Sequence, residues 1–155
     1  MIDTFLRNKR VAIILVIIIA FLVFIDYKTP FFDVLMSNKK YDEILTFTET
    51  IIAFSSITTA FLFFGVSFIP MISDDNKIMK VFRNNEKNYE EFIVCAIQFL
   101  MVSTISILFY LLYMVGSLGI KILLYSMLAL LFSSIINMTI LFIDLLKDIS
   151  KKIEN

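Results

Sequence analysis

The chain has no histidine and no tryptophan, and only one cysteine, two prolines and three glycines in 155 residues. Each scarcity removes a class of chemistry. Without histidine there is no Ser–His–Asp or Cys–His catalysis and no His-bearing zinc site. A lone Cys95 makes neither an internal disulfide nor a thiolate metal site. Gly65, Gly116 and Gly119 are too scattered to form a loop that cradles phosphate. We therefore expect no enzyme, no cofactor and no metal. Charge is also scarce: 18% of residues, with a formal net charge of zero. Nothing in that balance attracts an acidic partner, and direct nucleic-acid binding is not expected.

What the chain has in abundance is apolar length. Hydrophobic residues make up 59% and the mean hydropathy is +0.89. Four apolar stretches stand out, at about 11–27, 44–72, 92–118 and 122–143. Each approaches or exceeds the ~20 residues that cross ~30 Å of hydrocarbon as a helix. The expected fold class is all-α: a polytopic integral membrane protein, four transmembrane helices with short interfacial helices, in one domain over 1–155. The N-terminal run follows Arg7, Lys9 and Arg10 and resembles a signal peptide. Leu22–Asp26 offers no small-residue cleavage site, so we read it as an uncleaved first span.

Loop charges set the expected orientation. Arg7, Lys9, Arg10, Lys77, Lys80, Arg83, Lys87, Lys147, Lys151 and Lys152 fall on one side, and Lys28, Lys39, Lys40 and Lys121 on the other. Basic residues near spans stay cytoplasmic, which predicts a multi-pass protein of the cell membrane with both termini inside. Tyr27, Tyr41, Tyr110, Tyr113 and Tyr125 gather near the predicted outer ends, as amphipathic rings at a headgroup layer should.

Two connecting segments carry signals. Thr29-Pro30 is a helix start, with Thr able to cap and Pro suited to the first turn. A short helix from Pro30 to Met36 would then lie on the outer interface or dip into the bundle. The cytoplasmic loop 73–91 contains a basic amphipathic stretch, Asn76–Arg83. Its Lys77, Lys80 and Arg83 suit anionic lipid or a cytosolic protein partner. Glu90 and Glu91 are expected in the first turn of span three, where negative charge complements the helix dipole.

The spans differ in polarity. Span one, Val11–Ile25, is Val, Ile, Leu, Phe and Ala only. In span two, Glu49, Ala53, Ser56, Ala60 and Ser67 share a narrow sector. Small residues let helices approach closely in lipid, so this sector is either a packing seam or a water-lined path with Glu49 at its outer mouth. Span three carries Gln98, whose amide lipid cannot solvate. Span four aligns Ser126, Leu130, Ser133, Asn137, Leu141 and Asp144, a face that must meet another helix, a symmetry mate or water. Asp144 is either an interfacial end-cap or a functional carboxylate. The pore or helix-packing candidates are thus Glu49, Ser56, Gln98, Ser133, Asn137 and Asp144.

Three functions compete. A homo-oligomeric ring could conduct ions along the polar faces of spans two and four. A non-conducting anchor, sensor or immunity protein would use those faces for packing and dock a cytosolic partner through its inner loop. A transporter is weaker, since no inverted repeat or mid-membrane Gly/Pro break is visible. An intramembrane protease of the Glu-Glu-x-x-x-Arg type would need Arg where Cys95 follows Glu90-Glu91, and histidine as well. The run Phe68-Ile69-Pro70-Met71-Ile72-Ser73-Asp74-Asp75-Asn76-Lys77-Ile78-Met79-Lys80 ends a span on proline and leads into a basic helix. In this it resembles small four-helix membrane proteins of bacterial anti-phage defence systems. That resemblance implies an oligomer that permeabilises the membrane or tethers a partner, and it transfers no functional residue.

Overall fold

The computed structural model describes residues 9–36, 41–68, 86–115 and 120–153. Five helices lie within them: α1 Lys9–Lys28, α2 Phe31–Leu35, α3 Tyr41–Phe68, α4 Glu86–Val115 and α5 Ile120–Ile153. There is no strand among the described residues, and the all-α class holds. Four helices are long and apolar enough to cross a membrane, over Lys9–Lys28, Asp42–Phe68, Tyr89–Val115 and Ile120–Lys147.

Packing is extensive between α3 and α4, between α4 and α5, and between α5 and α1. Cross-helix bonds fix the directions. Glu49 meets Tyr110 and Ser56 meets Ser103, so seven residues down α3 match seven up α4 and the pair is antiparallel. Arg10 meets Asp144 and Asp26 meets Lys121, so α1 and α5 are antiparallel too. The start of α1 and the later part of α5 therefore share one end of the molecule. We call it the Arg10 end, and the opposite one the Lys121 end.

Two apolar cores follow. Toward the Lys121 end, Leu22, Phe32, Ile44, Ile51, Val102, Phe109, Leu124 and Met127 pack together. Toward the Arg10 end, Leu62, Phe92, Cys95, Ala96, Phe99, Leu141 and Leu145 form a second core with no member from α1. The helices contribute unequally. Over its most apolar stretch α4 is 56% buried and α5 50%, against 22% for α3 and 17% for α1. Thus α4 and α5 are central, and α1 and α3 flank them.

Two details of the segments differ from expectation. The Thr29 hydroxyl donates back to the Ile25 carbonyl instead of capping α2. Pro30 stands at the N-cap of α2 rather than in its first turn, with no side-chain cap bond. Asp26 does part of that work by accepting from the Phe32 backbone N–H at 3.4 Å. The helix also dips inward: Phe32 is 1% exposed and stacks at a tilt on Tyr125, with ring centroids 4.4 Å apart. The second difference is at α4, which is helical from Glu86, so Glu90 and Glu91 lie beyond its first turn. Glu91 serves an ion pair instead of the helix dipole. The amphipathic stretch Asn76–Arg83, with Lys77, Lys80 and Arg83, lies outside the described residues.

Candidate functional site: buried polar seams and two ionic clusters

In α5 the aligned polar face turns inward. Leu130, Ser133, Asn137 and Leu141 are all buried, because the face meets α4. Asn137 Nδ2 donates to Gln98 Oε1 at 3.3 Å and to Ser133 Oγ at 3.3 Å within its own helix. Gln98, Ser133 and Asn137 are thereby brought together between the central helices. Asn137 Oδ1 has no partner among the described residues. An amide oxygen left so in an apolar seam is a standing cost.

Most buried hydroxyls are satisfied locally. Thr48, Ser55, Ser106 and Ser134 each donate to the carbonyl four residues back. This habit lets a hydroxyl enter an apolar core without a tertiary partner. Ser103 instead bonds across to Ser56, and the buried Thr59 Oγ1 has no partner among the described residues.

The α3 sector behaves differently. Glu49, Ala53, Ser56, Ala60 and Ser67 are exposed, while Thr48, Ser55, Thr59 and Leu62 are buried. The sector touches α4 only along one edge. There Tyr110 donates its hydroxyl to Glu49 Oε1 at 3.1 Å, and Ser56 shares a 2.8 Å hydroxyl bond with Ser103. Glu49 and Ser56 therefore do not join the Gln98–Asn137 group.

Asp144 belongs to a third group. Arg10, from α1, reaches two helices. Its Nη2 donates to Glu91 Oε2 on α4 at 2.9 Å, and its Nη1 to Asp144 Oδ2 on α5 at 3.4 Å. Glu91 is buried, and its pairing with Arg10 offsets part of the cost of holding a charge there. A matching cluster closes the Lys121 end. Lys121 Nζ lies 2.9 Å from Asp26 Oδ2 and 2.9 Å from Asp33 Oδ1, and Tyr125 hydrogen-bonds Asp26. Along α5, Lys121 and Asp144 stand ~35 Å apart at ~1.5 Å per residue. The two ionic layers thus bracket a slab close to the ~30 Å of a hydrocarbon core.

Arg10, Glu91, Asp26, Asp33 and Lys121 were not among the sequence candidates. The available signal was charge at the ends of otherwise apolar runs, which reads equally well as boundary markers. No group of metal-ligating side chains is found among the described residues. Cys95 is buried and free. Comparison with known protein families, with characterised proteins and with solved structures finds no match.

Proposed function

We propose that the protein works in the cell membrane as a homo-oligomer that conducts ions or permeabilises the bilayer, with both termini cytoplasmic. The observation that carries this reading is the exposed α3 sector. A helix flanking the bundle presents Glu49, Ala53, Ser56, Ala60 and Ser67 outward. Lipid has no use for a carboxylate there, whereas a ring of protomers would gather the sector around a shared path. Gln98, Ser133 and Asn137 then hold the protomer together, and the path is lined by α3. A role in bacterial anti-phage defence rests on the family resemblance alone.

The test combines stoichiometry with flux. Purified protein in detergent should have the mass of several chains, and liposomes containing it should leak small ions. Glu49→Gln should lower the preference for cations, and Glu49→Lys should reverse it. A monomer that leaves liposomes tight under every trigger sinks the reading.

One observation favours the non-conducting alternative. The polar face of α5 is spent on Gln98 inside the protomer, as in a helix bundle built only to hold together. The protein would then be an anchor, sensor or immunity protein that docks a cytosolic partner through its inner loop. Charge reversal at Lys77, Lys80 and Arg83 should abolish recruitment of that partner and leave membrane insertion intact.

A further inference from the structure

In water an apolar helix docks because docking removes hydrocarbon from solvent. In lipid that drive is absent, since acyl chains are as apolar as the neighbouring helix. What remains is close packing of small residues and polar contacts between helices. From Val11 to Ile25, α1 has no polar side chain. Its only small residues there, Ala12 and Ala20, face away from the protein. Along its length α1 therefore has little to prefer α5 over lipid.

Its two ends are another matter, and they are unequal. At the Lys121 end, Asp26 is bound by Lys121 and Tyr125, Leu22 sits in the core, and the chain continues into α2, whose Phe32 is buried. At the Arg10 end, the second core takes nothing from α1. There α1 is held by buried Val11 and by the Arg10 guanidinium on Glu91 and Asp144. That contact is part-buried, with side-chain exposures of 34% for Arg10 and 41% for Asp144 against 8% for Glu91, so solvent reaches it from the Asp144 side.

We propose that α1 is a strap, hinged at the Lys121 end and latched at the Arg10 end by Arg10 on Glu91 and Asp144. Release of the latch swings the Arg10 end of α1 into lipid and uncovers the Glu91 carboxylate on the flank of α4. The strap does not depend on whether the protein conducts.

The experiment uses the full chain in liposomes, in a Cys95→Ala background, with spin labels on cysteines at exposed positions. One pair, Ile13→Cys with Ile143→Cys, reports the Arg10 end. The other, Val23→Cys with Ile122→Cys, reports the Lys121 end. Inter-label distances are measured with the latch intact, in Arg10→Gln, and in Glu91→Gln with Asp144→Asn. The last variant removes the latch from the other side and leaves α1 unaltered. We expect both latch variants to lengthen or broaden the first distance by about 5 Å or more, a ~15° pivot over the ~20 Å of helix between the hinge at Asp26 and Ile13 at ~1.5 Å per residue. The second distance should stay in place. An unchanged first distance in both variants overturns the strap. So does an equal change at both ends, which would mean that the whole helix or the whole fold had loosened.

Discussion

Asn137 and Ser106 are both buried and polar, yet they do different work. Ser106 returns its hydroxyl to the Val102 carbonyl, so removing it leaves no orphan, because that carbonyl keeps its backbone partner. Ser106→Ala should change stability by less than ~0.5 kcal/mol in a detergent unfolding titration. Ser103→Ala breaks the bond to Ser56 between α3 and α4 and should cost ~0.6 kcal/mol, the average for such bonds in lipid. The Gln98–Asn137 pair is the more telling case. Gln98→Leu alone leaves the Asn137 amide with only Ser133 of its own helix as a partner and should cost ~1–3 kcal/mol. Removing both amides together, as Gln98→Leu with Asn137→Leu, should cost less than that single change. A double variant weaker than the single one would show that the amides are worth more than their mutual bond.

At the scale of elements, the two flanking helices explain how the bundle can be uneven without being unstable. α4 and α5 carry the core, and α3 leans on α4 through Thr48, Ser55, Thr59 and Leu62. Phe109 is fully buried and stacks on Tyr113, with ring centroids 5.5 Å apart. Phe109→Ala should therefore lose ~3–5 kcal/mol. Phe61, 65% exposed on α3, should tolerate alanine within ~0.5 kcal/mol of the parent in the same titration. The presence of four long apolar helices was readable from the apolar runs, because hydropathy marks a stretch that lipid accepts; their ends were not, since α4 is helical from Glu86 and α5 runs on to Ile153 through charged residues. Facing was only half readable. The sector of Glu49, Ala53, Ser56, Ala60 and Ser67 and the face of Ser133 and Asn137 looked alike on a helical wheel. One proves exposed and the other buried, since a wheel shows which residues share a side and not which neighbour stands there.

For the whole molecule, the two ionic clusters act at a distance from each other yet on the same pair of helices. The Arg10 cluster is partly solvent-exposed, so salt should weaken it: screening grows as the Debye length falls from ~10 Å at 0.1 M to ~3 Å at 1 M. Raising salt should bring the wild-type Ile13–Ile143 label distance toward that of Arg10→Gln and leave the variant itself unmoved. Orientation is a second whole-molecule property. The described start of α1 and the later part of α5 lie at one end of the molecule. With the positive-inside bias that end should be cytoplasmic. A fluorescent protein fused after Asn155 should fluoresce in cells, and alkaline phosphatase fused at the same point should stay inactive. The reverse pattern would invert the assignment.

The sequence by itself determined the apolar character of this protein: four long apolar helices, a greasy α1 and the lack of histidine and of paired thiols. These are local properties, summed along the chain, and need no partner to be true. The tertiary structure alone decided which polar residues meet. Arg10, Glu91 and Asp144 are separated by 81 and 134 positions from Arg10, and no periodicity links them. It also decided that Asn137 would pair with Gln98 while Glu49 stayed outside. The reason is physical: a buried charge or amide is tolerable only beside its partner, and that partner is set by how the helices pack, which composition and spacing do not encode.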